Sequence, residues 1–256
     1  MNIKQNTLYV ASLAKGLRLL RAFDETHTDL SLPELAQRTG LEKSAVQRLA
    51  NTLHIEGMLD KDPATRRFRP SHAWLNLAYS YYWSDPLIPV AMPKLIDLSQ
   101  ELGETINLAE ISGDHIIYVS RLPCQRTYFA ATVIGRRLPV LSTSSGRAML
   151  ATRPDAVRAQ AVAEWSLRRF TPSTTLDRED IGRSVEKARL DGFAISRNQM
   201  ILNEIGVAAP IPGPDGISHA AIQCSVSSFQ WSEEDIQKKI VPLLLDTANA
   251  MGPVSR

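Results

Sequence analysis

Four side chains in residues 43–51 have the types and spacing to read a nucleic acid. Ser44, Gln47, Arg48 and Asn51 recur every three or four residues. Val46, Leu49, Ala50 and Leu53 recur at the same spacing, two residues out of phase. Two residues are about 200° apart on a helix of about 3.6 residues per turn, so the two sets fall on opposite faces. Gln pairs with adenine and Arg with guanine, while Ser or Asn holds phosphate or base edges. Lys43, where this helix starts, joins the DNA-facing set. A short hairpin follows, with Asp62-Pro63 at the first two positions of a type I turn. Phe68 packs inward there, and Arg66, Arg67 and Arg69 sit near the loop as candidates for phosphate contacts, which position a module without specifying sequence. A small helical subdomain with ordinary solvated charges is the competing reading, since Gln and Arg are common on exposed helices.

The elements that must hold these residues are legible around them. Leu13, Gly16, Leu17, Leu20 and Phe23 share one face of a first helix over Ser12 to Phe23. Ser31 and Glu34 have capping-box spacing at the start of a second, and Gly40 suits its left-handed end. Leu32, Leu35 and Ala36 supply its buried stripe. Together these predict a winged helix-turn-helix over residues 1–70. Ser71 to Tyr82 reads as a linker helix with Trp74, Leu77, Ala78 and Tyr81 on one stripe, rich enough in aromatics to pack on a second chain or on its own domain. Ser84-Asp85-Pro86 breaks it, giving a linker over 71–85 and a second domain over 86–256.

In that domain Leu87 to Leu102 looks helical. Thr105 to Ile111 and His115 to Arg121 look like strands joined by Ser112-Gly113-Asp114, and Thr127 to Thr132 like a third. Helices are expected over residues 145–165 and 178–190, with strands at Gly192 to Arg197, Val207 to Ile211 and Ile217 to Val226. Ser232 and Asp235 cap a final helix to about Met251. Strands in two blocks with helices between and after imply an α+β domain with a largely antiparallel sheet.

A second set of residues could hold a small acid. Ser142, Thr143, Ser144, Ser145 and Gly146 precede a helix, and a helix N-terminus offers free N–H donors to a carboxylate. Plain N-capping of a surface helix accounts for the same hydroxyls. Gln223 and Ser225 alternate with Ile222, Cys224 and Val226, so one strand face is polar. That face orients a ligand if it lies inward and means nothing if it lies outward. Asn107, Tyr128 and Arg197-Asn198-Gln199 are open to the same two readings.

Composition narrows the classes. With 44% hydrophobic and 22% charged residues the chain is of the soluble globular type. Net charge is only +2, but residues 1–70 hold 11 Lys and Arg against 8 Asp and Glu. That local excess favours a phosphate-facing surface. Two distant cysteines, Cys124 and Cys224, fit a reduced, cytoplasmic protein. No apolar run approaches the roughly 20 residues of a membrane span. The five histidines are scattered, with no zinc spacing, no nucleophile elbow and no phosphate-cradling loop nearby, so no catalytic or metal residue is assigned and no cofactor is expected.

The whole pattern resembles the IclR family of bacterial transcriptional regulators. The resemblance is carried by residues 12–20, Leu35-Ala36, Thr39-Gly40-Leu41, residues 43–49, Gly57 to Asp60 and Arg67-Phe68-Arg69. Asn107-Leu108-Ala109, Gly113-Asp114, residues 135–139, Gly146-Arg147-Ala148, Ala208-Ala209-Pro210-Ile211 and Gly216 carry it through the second domain. It implies an N-terminal winged helix joined by a linker helix to a GAF-like α/β effector-binding domain. It also implies dimers through the DNA-binding halves, often dimers of dimers, and regulation of catabolic genes by small organic acids. The family's effector contacts correspond to Ser144, Ser145, Ser196, Gly206, Gln223 and Ser225. At Gly206 many members carry Cys or Ser, and acidic residues are common where this chain has residues 196–199. Residues 78–81 and 114–118 are most similar to regulators of aromatic-acid breakdown, so the effector is expected to be a small carboxylate, with aromatic acids among the candidates. Two alternatives are an enzyme processing small acids and an oligomerising DNA-binding protein without a ligand.

Overall fold

The computed structural model describes residues 7–124 and 134–253, and the chain divides between Tyr82 and Trp83 into two units. The first unit comprises α1 (Ala11–Leu20), α2 (Leu32–Thr39), α3 (Lys43–Ile55), the strands β1 (Leu59–Lys61) and β2 (Phe68–Pro70), and most of α4 (Ala73–Ser84). Glu34 accepts hydrogen bonds from the Ser31 backbone N–H (2.7 Å) and hydroxyl (2.6 Å), which starts α2. Gly40 ends it at φ 66°, the left-handed conformation that glycine adopts without a Cβ penalty. β1 and β2 pair antiparallel, and Leu30 pairs with Phe68 through two backbone hydrogen bonds of 2.8 Å. The core gathers Leu19, Ala22, Phe23, Leu30, Leu35, Val46, Ala50, Leu59 and Phe68. Trp74 of α4 closes it, edge-on to Phe23 and donating its indole N–H to the Met58 carbonyl at 2.9 Å.

α1 differs from its expected form. It stops at Leu20, so Phe23 enters the core from the following turn rather than from the helix. Leu19 and Gly16 are buried, whereas Leu13 and Leu17 are exposed. Apolar residues cover two sides of α1, and periodicity alone does not say which side meets the core. Leu13, Leu17 and Leu20 face Leu49 and Leu53 of α3 across an open groove of about 560 Å³.

The second unit is built on six antiparallel strands. They are β3 (Thr105–Ser112), β4 (His115–Leu122), β5 (Arg137–Pro139), β6 (Ala194–Arg197), β7 (Glu204–Ile211) and β8 (Ala220–Ser227), in the spatial order β5-β4-β3-β8-β7-β6. One face meets α6 (Ser144–Ala151), which packs on β7 and β8 and is backed by α8 (Arg178–Asp191). Ala109, Ala208 and Ala221 line that face, small enough for α6 to lie close, and all eight α6 residues are buried. α5 (Leu87–Leu102) and the last helix cover the opposite face. That last helix begins as α9 (Glu233–Asp235), passes through a π-helical turn at Ile236–Ile240 and ends as α10 (Val241–Asn249). Pro242 has no N–H to give to the preceding turn, which accounts for the local change of ladder.

One further expectation needs correcting. The helix foreseen over residues 145–165 is two helices, α6 and α7 (Asp155–Glu164), because Pro154 cannot continue the first. The segment before α6 holds β5 and a 3-10 turn, Val140–Ser142, folded against the start of that helix. A Cβ at Gly146 would lie 2.2 Å from the Val140 carbonyl oxygen and 2.5 Å from its Cα. Gly146→Ala is therefore expected to destabilise the protein by about 1–3 kcal/mol, as overpacking does. Gly182→Ala in α8, where the nearest atom is a Val162 methyl at 3.8 Å, is expected to be neutral or stabilising. Urea unfolding of the two full-length variants checks the contrast, and equal midpoints would contradict it.

Candidate functional site

The outer face of α3 is the first site. Val46 and Ala50 are buried, which turns Lys43, Ser44, Gln47, Arg48 and Asn51 to solvent. Among the described residues Arg48 has no ion pair, so its guanidinium is available to a partner.

The three wing arginines differ. Arg66 is exposed at the tip, in the left-handed region at φ 57°. Its turn is held by Asp62, whose carboxylate accepts from the backbone N–H groups of Ala64 (2.7 Å) and Thr65 (2.9 Å). Arg69 is exposed and lies 3.5 Å from Asp60, a surface pair that contributes little. Arg67, expected at the DNA surface, points back instead. Its guanidinium pairs with Asp29 and with Glu34 at 2.8 Å, and donates to the Asp29 carbonyl at 2.8 Å. Hydrogen bonds from the Ser31 hydroxyl and backbone, and then from Arg67, hold the Glu34 carboxyl down at about 2. One carboxylate thus caps α2 and ties the wing to it.

The second site lies between the sheet and α6. Strand register sets out two rows on that face. Arg121, Asn107, Gln223 and Ala208 stand side by side across β4, β3, β8 and β7. Thr105, Ser225, Gly206 and Ser196 stand side by side across β3, β8, β7 and β6. The Asn107 amide donates to Gln223 Oε1 at 2.5 Å, and Gln223 Nε2 donates to Ser225 Oγ at 2.8 Å. Asn107 and Gln223 are buried, so the polar face of β8 lies inward. Gly206 is at the centre. A Cβ there would lie 2.8 Å from Ser144 Oγ, 2.9 Å from Gln223 Nε2 and 3.0 Å from Ser196 Oγ. Polar atoms from three other elements therefore converge on the one position that has no side chain.

The start of α6 is a buried helix, not a surface one. Thr143 caps it, accepting from the Gly146 N–H at 3.1 Å, and the 3-10 turn closes over Gly146. Ser144 faces Gly206, while Ser145 lies beside the Tyr118 hydroxyl. Arg147 donates to the Leu141 carbonyl (2.8 Å) and to Ser184 of α8 (3.1 Å), and burial brings its pKa down to about 10. Arg197-Asn198-Gln199 does not reach the two rows. Arg197 pairs with Glu233 at 3.2 Å, Asn198 accepts from the Asn203 N–H at 2.7 Å, and Gln199 accepts from the Thr175 N–H at 3.0 Å. Tyr128 and the strand expected at Thr127 to Thr132 lie outside the described residues. Sequence reasoning missed Arg121, Tyr118 and Glu204. Burial pushes the Glu204 carboxyl up while Arg121 and Arg136 pull it back, and burial also pushes the Tyr118 phenol up. No group of acids, histidines and cysteines among the described residues could hold a metal ion, and no helix there is long and apolar enough to cross a membrane.

Residues 80–252 match the family described as bacterial transcriptional regulator IclR C-terminal, and residues 12–63 match the IclR helix-turn-helix domain. The chain belongs to the IclR family. As an IclR-family protein it is a DNA-binding transcriptional regulator controlled by an effector, and not an enzyme. It is similar to the p-hydroxybenzoate hydroxylase transcriptional activator of Acinetobacter baylyi, with 29% identity over 95% of this chain and 91% of that protein. A solved Rhodococcus transcriptional regulator is 32% identical, covers 95% of this chain and 97% of its own, and superposes with a TM-score of 0.81. An IclR homologue from Microbacterium hydrocarbonoxydans, solved with 4-hydroxybenzoate, shares the fold at 23% identity and a TM-score of 0.78, over 94% of this chain and 97% of its own.

Three predictions follow from α3 and the wing. Arg48→Ala is expected to weaken specific operator binding by about 1–3 kcal/mol, as loss of a bidentate base contact does, and unchanged affinity in a salt-matched shift assay would rule that role out. Arg66→Ala is expected to lower the slope of log affinity against log salt by about 1. Arg67→Ala is expected to leave that slope alone and lower the melting temperature instead, and a lowered slope for Arg67→Ala would place it on phosphate.

Proposed function

We propose that this IclR-family regulator senses a small aromatic carboxylate and controls genes for its breakdown, acting in the cytoplasm. The observation that carries the reading is the convergence of Ser144, Ser196 and Gln223 on Gly206, with Asn107 and Ser225 one hydrogen bond further out. Polar groups gathered inside a domain around a missing side chain suit a ligand with its own donors and acceptors. The names of its relatives point the same way, since one is a p-hydroxybenzoate hydroxylase transcriptional activator and one was solved with 4-hydroxybenzoate.

On the DNA side, Ser44, Gln47, Arg48 and Asn51 read bases, and Lys43, Arg66 and Arg69 hold the backbone. The protein works as a homodimer or a dimer of dimers. Exposed Leu13 and Leu17 on α1, and Leu75, Leu77, Tyr79 and Tyr81 on α4, are the apolar surface that a second copy would cover.

The test uses the full-length protein, a panel of hydroxybenzoates and operator DNA selected from genomic fragments. The melting temperature is expected to rise with at least one acid. The Ser144→Ala/Ser145→Ala double variant is expected to keep its operator affinity and lose its ligand response. An undiminished response would remove this site, and no response to any acid would favour a regulator of another ligand class.

A further inference from the structure

A cation would hold the proposed carboxylate effector more strongly than neutral donors, and the start of α6 does not supply one. Its first turn is capped by Thr143 and covered by Val140–Ser142, and Arg147 is directed to Leu141 and α8. One other cation lies on the polar rows. Arg121 is half-buried, and Nη1 donates to Asn107 Oδ1 at 3.2 Å. Among the described residues it forms no ion pair. Its acidic neighbour Glu204 acts on it only through its field, and shares that field with Arg136.

Arg121 reaches this face because of a bulge. From the hairpin, Ser112 pairs with His115, Ile111 with Ile116, Glu110 with Ile117 and Ala109 with Tyr118. The register then shifts, so that Leu108 pairs with Ser120 and Asn107 with Arg121, leaving Val119 unpaired. An unshifted ladder would set Ser120 beside Asn107 and send Arg121 to the other face, since side chains alternate along a strand. Ser120 instead faces α5, where its hydroxyl lies 3.2 Å from Met92 Sδ. Tyr118 and Arg121, three residues apart, therefore share the effector face. Bulges re-aim side chains in this way beside functional sites. A half-buried guanidinium with no carboxylate in direct contact is costly to maintain, and a bound anion offsets that cost.

We propose that Arg121 is the carboxylate anchor of the effector site, and that Asn107 and Gln223 connect it to the Ser144–Gly206–Ser196 end, which takes the uncharged end of the same ligand. The effector class is then a monocarboxylate whose far end bears a hydroxyl. This inference rests on the organic-acid reading above.

The test is calorimetric titration of full-length protein with 4-hydroxybenzoate, benzoate and the neutral isostere 4-hydroxybenzamide. In Arg121→Gln, affinity for both acids is expected to fall by about tenfold or more, the range of a charged hydrogen bond, while the amide changes by less than about twofold. Arg121→Lys keeps the charge and is expected to keep most of the preference for acid over amide. Melting temperatures of both variants without ligand separate loss of binding from loss of fold. Equal losses for acid and amide, or no loss in Arg121→Gln, overturn the anchor. If Ser144→Ala still weakens acid binding in that case, the site stands and only the role of Arg121 falls. If no acid binds the unaltered protein, the organic-acid reading falls and the anchor with it.

Discussion

Polar side chains placed between a sheet and a buried helix have no bulk water to fall back on. Each must find a partner in the protein or in a ligand, because an unsatisfied buried donor or acceptor costs about 1–3 kcal/mol. That constraint organises the second unit. Asn107, Gln223 and Ser225 meet it by hydrogen bonding to one another across neighbouring strands. Thr143 meets it by capping α6. The alanines at 109, 208 and 221 contribute by being small, since a larger residue there would lift α6 away from the rows. Gly206 lets Ser144, Gln223 and Ser196 approach to where a Cβ would collide with them.

Charge is used in two ways in this molecule. In the winged helix, Glu34 serves the Ser31 cap and Arg67 together, so the start of α2 and the base of the wing are one hydrogen-bonded unit. A recognition helix needs such a frame, because base contacts discriminate only when the donors are already in place. Arg48, Arg66 and Arg121 are the opposite case, guanidiniums that the described chain leaves without an ion pair. Two of them face DNA in the reading proposed here and one faces the effector.

Much of this is visible in local chemistry. The Ser31–Glu34 box, the left-handed glycines at 40 and 192, and the ends of α5 follow from residues adjacent in sequence, and the structure has them. Pro154 also announced its break, although the apolar pattern on either side hides it. α1 misled because apolar residues line two of its sides, and only the docked α3 shows which is the core. Arg67 was legible as a wing arginine, but its pairing with Asp29 joins residues 38 positions apart. Arg197-Asn198-Gln199 looked like a loop that could reach a ligand. The structure uses those residues to close the turn to Asn203, to hold Thr175 and to pair with Glu233.

By itself the sequence determined the winged helix, the polar face of α3, the family, and most of the residues that surround Gly206. These depend on periodicity, capping and motif spacing, all of which are short-range. Which of two strand faces Arg121 occupies was decided only by the tertiary structure. Counting back from the Ser112–His115 pair sends Arg121 away from Asn107, and one unpaired residue, Val119, reverses that. Because side chains alternate with a period of two, a one-residue shift moves every later side chain to the other face. Such a shift is set by what packs above and below the strand, with Met92 of α5 against Ser120 on one side and the polar rows on the other.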